Sequence, residues 1–454
     1  MGTTISPLAN QADPIRIRVP FVTTSFVRNI LYYALLWPLW WVLGIEQILL
    51  PFFLIFELIR FLLRSNWQVR INTTGLFALA LAIWWFAPLL WLDRNYLDIF
   101  LKDIATIWSQ AIFLILVINC VKTRADWQNL VIALIIMAAY MAMAGAIYLS
   151  GIWRGSFTSA FGLILPSSLV ESSVFFKSIA IRSFGDLSIE QEGLLPFRIR
   201  GFSLTFSSLS MLCLILIPFS YWQAKVSSGL YRSLLTAITI GLLLCLIFTE
   251  SRIAYVALAV AILFYWALHA GILRKRYLLL TIGLALAITG IILLLVYLLQ
   301  KPIYNAFEGF FIDLRPASFI ERLNIYVVTL RLLPVHPIAG WGVPVRITGT
   351  SNAYSAGTHS SLLGMFFQHG IVGMILYIML WLSLWKQAIR GMREKHNDRF
   401  LASFWIVVAT SFLAFNIREL ADSWWWDQSL MFIVWIFWGM VITAKESLAP
   451  PMAS

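Results

Sequence analysis

Charged side chains are scarce in this chain. Only 12% of its 454 residues are charged, whereas 61% are hydrophobic and the mean hydropathy is +0.84. This composition excludes the soluble globular classes and leaves the lipid bilayer as the solvent that fits. The apolar runs are long and unbroken, which excludes a β-barrel and predicts an all-α polytopic membrane protein.

Cysteine is rarer still, with three residues in the whole chain. The three cysteines, Cys120, Cys213 and Cys245, all fall inside apolar runs, far apart in the sequence and without the spacing of metal ligands. We interpret them as small core residues and predict neither a disulfide framework nor a metal site. The sequence gives no reason to predict a cofactor.

Ionisable residues are almost absent from the middle of the apolar runs. Glu57 and Arg60 lie near the inner end of the second run, and Glu250 and Arg252 lie in a turn between two later runs. A coupled transporter generally needs polar groups near the membrane midplane, often beside broken helices. Their scarcity argues against a transporter of a small anion or bicarbonate, which the many spans and boundary arginines would otherwise suggest.

Apolar runs long enough to cross a bilayer recur between short charged breaks. They predict about twelve transmembrane helices, at residues 30–44, 47–63, 74–92, 103–121, 129–149, 202–222, 234–249, 253–271, 278–299, 361–385, 401–417 and 427–444. The first two are short and contain Pro38 and Pro51, so they could form one hairpin or a single bent span. The predicted organisation is a cytoplasmic segment, spans one to nine, a large outer loop, spans ten to twelve and a cytoplasmic tail, at residues 1–29, 30–299, 300–360, 361–444 and 445–454.

Basic residues fall mainly on one side of the predicted membrane. With a cytoplasmic N-terminus, more than half of the 33 Lys and Arg lie in cytoplasmic segments, including the cluster Arg274, Lys275 and Arg276. The positive-inside rule therefore places both termini in the cytoplasm. The net charge of +12 is then a topology signal spread over many helix ends, so no nucleic-acid partner is predicted.

Two long loops interrupt the short connections, and both lie outside in this orientation. They cover residues 150–200 and 300–360, and the second contains a short helix predicted to begin at Pro316 and to stop at Pro334. Loops of this length inside a compact membrane protein are usually functional or disordered. Both loops mix apolar and charged residues too evenly for simple disorder, so we expect them to carry function.

Four charged residues stand at the outer boundary of predicted spans. Arg198 and Arg200 precede the sixth span, and Glu250 and Arg252 lie between the seventh and eighth. An arginine stays charged at any working pH and its planar fork donates two hydrogen bonds to phosphate oxygens, so convergent arginines suit a diphosphate. They could stabilise it as a leaving group without a metal. A single boundary arginine, however, more often reaches lipid headgroups.

His359 stands at the start of the tenth span. A neutral imidazole can accept a proton from a hydroxyl, and the helix N-terminus disfavours an added positive charge there. The alternative is that His359 merely caps the helix beside Thr358 and Ser360. Upstream, the segment 337–343 with Gly340 and Gly342 predicts a tight turn whose backbone can approach a ligand closely, although a plain loop fits equally well.

Several short motifs follow one another along the later part of the chain: Arg200-Gly-Phe-Ser, Thr249-Glu-Ser-Arg252, Arg322, Pro337 to Gly342, His359, and Gly370-Ile-Val-Gly373. Taken in order, these motifs resemble the O-antigen ligase and O-antigen polymerase superfamily. The resemblance rests on short motifs whose order and spacing relative to the spans are fairly specific. It covers about residues 197–385, and the first five spans match in general character only.

The resemblance implies a GT-C-like, metal-independent, inverting glycosyltransferase. Its partners would be a polyprenyl diphosphate-linked glycan donor, a glycolipid or glycan acceptor, and membrane lipids, with the active site facing the periplasm at a bacterial inner membrane. Arg200 and Arg252 would bind the diphosphate, Arg322 would help on the donor side, and His359 would activate the acceptor hydroxyl. Supporting roles in the same site would fall to Arg198, Glu250, Gly340 and Gly342.

One position departs from the family pattern, and one choice within the family stays open. The family often has His-Asn where this chain has His359-Ser360, which removes an amide that could orient the acceptor or the imidazole. A ligase would move a finished glycan to lipid A-core or another acceptor, whereas a polymerase would join lipid-linked repeat units. Both need the same donor grip and the same base, so the sequence leaves them as alternatives.

Overall fold

The structure is a computed structural model that describes residues 24–172, 174–185, 198–269, 316–346, 355–394, 399–423 and 427–448. Within these ranges it is a bundle of apolar α-helices with two small two-stranded sheets. The predicted class, an all-α polytopic membrane protein, is confirmed. We call the end of the bundle that the sequence predicts to face outward the outer end.

Fifteen helices are described, and several short 3-10 turns join them. They are α1 Ser25–Leu35, α2 Trp37–Leu43, α3 Glu46–Arg64, α4 Thr73–Trp84, α5 Leu97–Cys120, α6 Arg124–Leu149, α7 Ser167–Ser172, α8 Val174–Ala180, α9 Phe206–Val226, α10 Gly229–Phe248, α11 Arg252–His269, α12 Pro316–Leu332, α13 Ser361–Arg393, α14 Arg399–Glu419 and α15 Gln428–Leu448.

Nine of the described helices are long and apolar enough to cross a membrane, or ten if the bent pair α1 and α2 forms one span. That pair bends by 57° inside the first predicted run, and the second run forms a separate helix, α3, so the two runs do not make the single bent span that was one of the alternatives. The helix α3 lies at the second predicted span but carries Glu57, Arg60 and Arg64 near its inner end, and it is not among the nine. The predicted span 278–299 lies outside the described residues.

Local sequence explains where several of these helices begin. The side chain of Asn72 accepts a hydrogen bond from the N–H of Gly75 at the start of α4, and Thr205 does the same for Ser208 in α9. Thr123 and Asp126 form a capping box at the start of α6. Each interaction satisfies a backbone donor that the first turn of a helix leaves unpaired, so helix starts are fixed by short polar signals.

The centre of the bundle is built from α9 and α15. Most of the described residues of both helices are buried, including Trp435 and Trp438, whereas α10 and α11 bury only part of their surface. Since apolar side chains can face lipid without cost, the exposed faces of α10 and α11 are consistent with the periphery of a membrane bundle.

The described part of the first outer loop, residues 150–172 and 174–185, forms a small hairpin with two short helices. The strands β1 Ser156–Thr158 and β2 Ile181–Ser183 pair antiparallel, with α7 and α8 between them. Both carboxylate oxygens of Glu46, the first residue of α3, accept hydrogen bonds from Nη2 of Arg182, at 2.8 and 2.6 Å. Removing one partner of such a fully buried ion pair leaves an uncompensated charge, so this contact fixes the loop against the bundle.

The helix α13 is broken at Gly370. This residue has φ 67° and ψ −170°, so a short half-helix, residues 361–369, precedes a longer one, residues 371–393. At 1.5 Å per residue the longer part is roughly 34 Å, enough to cross the hydrocarbon core by itself. The sequence predicted one continuous span from 361 because glycine does not interrupt its apolar pattern. The half-helix, residues 361–369, is therefore not needed to cross the membrane and can lie at the outer end of the bundle.

Candidate functional site

Arg200 is a buried residue that fastens the first outer loop. Its guanidinium donates hydrogen bonds to the carbonyl oxygens of Ser183 at 2.9 Å, Ile181 at 3.0 Å and Leu204 at 3.4 Å. These contacts join β2 to the turn that precedes α9. The sequence predicted that Arg200 would bind a diphosphate directly, but in the structure its donors are directed at backbone carbonyls of its own chain.

The other boundary residues come together as one group, which we call the Arg198 group and which comprises Arg198, Glu250 and Arg252. Nε of Arg198 lies 3.2 Å from a carboxylate oxygen of Glu250, and its guanidinium carbon lies 4.6 Å from the ring centre of Phe206. Arg252 is exposed at the start of α11, and all three charges act on Tyr255 one turn later. Two arginines and one carboxylate leave an excess positive charge at the outer end.

His359 lies at the start of the half-helix in an unusual backbone conformation. Its φ is 59°, a value that is uncommon for residues other than glycine, and Glu250 in the Arg198 group has φ 51°. The hydroxyl of Tyr326 donates a hydrogen bond of 2.6 Å to the carbonyl oxygen of His359. Such backbone strain persists only where the surroundings enforce it, and it concentrates at functional sites.

Four further residues are linked to the segment of His359 by direct contacts or by charges that act on Tyr326, and with it they form what we call the His359 group: Arg322, Tyr326, Arg418 and Asp422. Nη2 of Arg418 lies 2.6 Å from a carboxylate oxygen of Asp422, and Nη1 of Arg322 lies 3.4 Å from the carbonyl oxygen of Ala421. Burial raises the pKa of Tyr326 to about 12, while Arg322 and Arg418 lower it and Asp422 raises it. The phenol therefore stays protonated at neutral pH and remains a donor to His359.

The first turn of α9 lies between the two groups. Ser207 and Ser210 accept hydrogen bonds from Arg418, at 2.7 and 3.3 Å, and Phe206 stacks against Arg198. Ser361, at the start of the half-helix, donates to the carbonyl oxygen of Asp422 at 3.0 Å. A chain of direct contacts thus joins the Arg198 group to the His359 group at the outer end.

Arg418, Asp422 and Tyr326 were not singled out from the sequence. Arg418 is 2% exposed, and within the described ranges its Nη1 has no hydrogen-bond acceptor. The available signal was a charged pair spaced four residues apart, Arg418 and Asp422, at the outer end of a predicted span. Such pairs are common at helix ends, so only the three-dimensional arrangement shows that they act on Tyr326, which holds the backbone of His359.

Gly340 and Gly342 belong to a turn that grips the break in α13. The N–H of Trp341 donates to the carbonyl oxygen of Phe367 at 2.9 Å, and that of Gly342 donates to Gln368 at 2.7 Å. These are carbonyls that the interrupted helix leaves without helical partners. The predicted tight turn is present, and it approaches the backbone of the half-helix that carries His359.

Two tryptophans from the outer end of α4 and its following turn support the same break. The indole N–H of Trp84 donates to the carbonyl oxygen of His369 at 2.9 Å, and that of Trp91 donates to Gly340 at 2.8 Å. The ring of His369 is fully buried with its centre 3.5 Å from that of Trp85. His369 therefore packs inside the support of the half-helix, whereas His359 stands at its end.

The two groups can bind an anion and move a proton. Three arginines, Arg198, Arg252 and Arg322, are at least partly exposed, and His359 lies in the same chain of contacts. In the described part of the chain, no group of three or more His, Cys, Asp or Glu side chains could hold a metal ion. The fold and this site define a multi-pass membrane protein with an arginine and histidine site at the outer end of its bundle.

Comparison with known proteins finds similarity to one family over part of the chain. Residues 236–378 match the sequence model of the O-antigen ligase family. Over 201 residues the chain is 31% identical to an O-antigen ligase of Pseudomonas aeruginosa, an alignment that covers 42% of this chain and 45% of that protein. The chain thus spans less than half the length of this curated relative. Together the matches confirm the resemblance to the O-antigen ligase superfamily.

The matched region contains much of the site. Residues 236–378 include Glu250 and Arg252, Arg322, the turn with Gly340 and Gly342, and His359. Arg198, Arg200, Arg418 and Asp422 lie outside it. The family match therefore covers the histidine and two of the three at least partly exposed arginines, while the contacts of α9 and α14 come from the structure alone.

Proposed function

We propose that this chain transfers a glycan from a polyprenyl diphosphate carrier to an acceptor hydroxyl at the periplasmic face of a bacterial inner membrane. One observation carries the proposal: His359, held by Tyr326 in a strained conformation, is joined through the first turn of α9 to the Arg198 group. A base and an anion site in one contact chain are what glycan transfer from a diphosphate needs.

In the proposed reaction His359 accepts the proton of the acceptor hydroxyl. The acceptor oxygen then attacks the anomeric carbon, and the bond from that carbon to the phosphate oxygen breaks with inversion. The electron pair leaves with the polyprenyl diphosphate, whose negative charge is stabilised by Arg252 and Arg198 and, from the His359 group, by Arg322. No atom changes its oxidation state, so the reaction needs no oxidant or reductant.

Arg200 takes a different role in this proposal. Because its guanidinium fastens β2 to the turn before α9, Arg200 positions the segment that carries Arg198. Arg198 in turn contacts Phe206 and Glu250, so the segment sets the arginine beside the start of α9. Arg200 is thus a positioning residue, and Arg252 is the residue that meets the diphosphate.

This division of roles predicts different outcomes for two arginine variants. We expect Arg200→Ala to destabilise the protein by roughly 2 kcal/mol or more, because buried carbonyls lose a charged donor. Arg252→Ala, at an exposed position, should leave the unfolding temperature unchanged and lower the transfer rate about 10²-fold. Thermal unfolding and initial rates of the purified variants measure both. Equal destabilisation by the two substitutions would contradict the assignment.

The reaction itself is tested by reconstitution. Purified protein in lipid nanodiscs should move glycan from a polyprenyl diphosphate donor to a phosphate-free glycan acceptor, and a chelator should leave the rate unchanged. Liposomes without lipid-linked sugar should show no uptake of small anions or bicarbonate. Loss of transfer in chelator that Mg²⁺ or Mn²⁺ restores would overturn metal independence, and solute uptake would favour a transporter.

The choice between ligase and polymerase is read from glycans in a deletion strain. Long polymer that accumulates on the carrier lipid without attachment is the expected result for a ligase, which is the reading we favour from the family match. Loss of polymer with single repeat units still attached would instead assign the chain as a polymerase. Plasmid expression of the intact gene should restore the parental pattern in either case.

A further inference from the structure

We propose that the segment Phe161 to Leu165 of the first outer loop inserts into the outer leaflet of the bilayer as an anchor that does not span it. The segment has the sequence Phe-Gly-Leu-Ile-Leu and lies between β1 and α7. This inference concerns how the loop meets the lipid surface, and it does not depend on the proposed glycan transfer.

The segment presents large apolar side chains outward. Leu163 is 76% exposed and Ile164 is 80% exposed, among the highest values for large hydrophobic residues in the described part of the chain. Neighbouring exposed aliphatic side chains are unfavourable in water, and in membrane proteins such residues mark surfaces that face lipid. Since the bilayer is the apolar phase next to this protein, acyl chains are the occupant we assign.

The exposed side chains stand on a defined turn. The N–H of Leu163 donates to the carbonyl oxygen of Ser159 at 3.1 Å, and that of Ile164 donates to Phe161, also at 3.1 Å. The hydroxyl of Ser159 accepts from Gly162 at 3.0 Å and donates to the carbonyl oxygen of Ile179 at 2.8 Å. Backbone bonds thus fix the direction in which the turn presents these two residues.

The segment continues a surface that already belongs to the membrane bundle. The N–H of Phe161 donates to the carbonyl oxygen of Leu43, the last residue of α2, at 2.9 Å. On α2 itself, Leu39 and Val42 are exposed on the outside of the bundle. The bent pair of α1 and α2 reaches the outer end at this point, so the 161–165 segment lies where the lipid-facing surface of α2 ends.

Two exposed basic residues of the same loop fit the headgroup layer. Arg154 and Lys177 are both exposed, the first just before β1 and the second in α8, two residues before Ile179. Long basic side chains favour the interface, where their stems lie along apolar groups and their charges reach phosphate. An apolar turn flanked by such residues is the pattern of an interfacial anchor rather than of a docking site for a soluble acidic partner.

Insertion of this segment would fix how far Arg198 and Arg200 lie from the membrane surface. The hairpin of β1 and β2 that carries the segment also supplies the carbonyls of Ile181 and Ser183 that hold Arg200. Anchoring one side of this hairpin in lipid therefore fixes the other side, and with it the segment of Arg198. The loop is held to the bundle by Arg182 and Glu46 and to the bilayer by Leu163 and Ile164.

A depth measurement tests the proposal. Ile164→Cys, made in a Cys120→Ser background because Cys213 and Cys245 are fully buried, would carry an environment-sensitive NBD fluorophore in nanodiscs. Nitroxide lipids labelled near the top of the acyl chain should quench the fluorophore at position 164. We expect this quenching to be at least about twofold stronger than the quenching of the same fluorophore at Asn95→Cys. Asn95 is an exposed polar residue of the outer turn between α4 and α5.

The complementary probe is aqueous iodide. Iodide should quench the fluorophore at Asn95→Cys and leave that at Ile164→Cys largely unaffected. Iodide quenching at position 164 as strong as at position 95, without quenching by the acyl-chain nitroxide, would overturn the proposal. Leu163→Cys is the second variant, and it should report the same depth if the labelled Ile164 variant does not accumulate.

Discussion

Replacement of His359 by asparagine is expected to abolish glycan transfer while the protein inserts and accumulates normally. Asparagine tolerates the left-handed backbone at this position, where φ is 59°, better than most residues. It therefore removes the base with little change in strain. Loss of a general base lowers a rate by roughly 10²- to 10⁴-fold, and that is the reduction we expect in the initial rate of transfer.

The control for this variant is another histidine at the opposite end of the bundle. His269 is the last residue of α11 and is exposed, with its ring stacked on Tyr265. His269→Asn should keep the parental transfer rate. His359→Ala should match His359→Asn in its loss of transfer. If both position-359 variants transferred glycan at the parental rate, the proposed mechanism would be removed.

A smaller effect is expected from the residue that holds His359. Tyr326→Phe removes the hydroxyl that donates to the carbonyl oxygen of His359, but it keeps the ring. The expected consequence is a looser backbone at His359 and a moderate loss of rate, smaller than that of His359→Asn. This ordering separates a residue that positions the histidine from the histidine itself.

The class of protein and most of its spans could be predicted from the sequence. An apolar run of about 20 residues has few alternatives to a spanning helix, because only a helix satisfies its own backbone in lipid. The described helix α12, Pro316–Leu332, also ends just before Pro334, where the sequence predicted that it would stop. Local signals of this kind act over a few residues and need no knowledge of the rest of the fold.

The roles of single charged residues could not be predicted in the same way. Arg200 and Arg252 look alike in the sequence, since each stands beside the outer end of a span. The structure separates them because a hairpin far back in the loop supplies carbonyls to Arg200, whereas Arg252 remains exposed. Likewise Arg418 reaches the site only because α14 packs against α9. These contacts depend on tertiary packing, which leaves no local pattern.

The break in α13 was hidden for another reason. Gly370 and Gly373 suggested a family motif, but glycine is common in transmembrane helices and does not end an apolar run. The conformation at Gly370 depends on the turn 337–342, which lies far earlier in the chain and bonds the freed carbonyls. The sequence therefore drew attention to Gly370 without showing that the helix is interrupted at this residue.

Gly370→Ala is expected to disrupt the outer site more broadly than any single charged variant. The combination of φ 67° and ψ −170° is essentially restricted to glycine, and an added Cβ would collide with the backbone of Ile338 and Ala339. The turn must then move away from the half-helix. We expect a lower unfolding temperature and transfer reduced at least about 10²-fold, measured on purified protein in nanodiscs.

Gly340→Ala tests the same contact from its other side. Gly340 has φ 75°, and a Cβ there would collide with the backbone of Gln368 and His369, so the result should match that of Gly370→Ala. The control is Gly75→Ala in α4, a helical glycine whose added Cβ would meet the end of the Ile118 side chain at 3.0 Å and side-chain atoms of Asn72 and Ile71 at 3.5 Å, an ordinary contact distance. This variant should keep both stability and transfer.

A milder variant separates the position of the half-helix from overall stability. Trp84→Phe keeps an aromatic ring but removes the indole N–H that bonds the carbonyl oxygen of His369. If the break serves to place His359, this variant should lose transfer more than it loses stability, and the loss should appear in kcat because the base is misplaced by a fraction of an ångström. Parental transfer in Gly370→Ala and Gly340→Ala would show that the broken helix has no part in the reaction, since both substitutions force the turn and the half-helix apart.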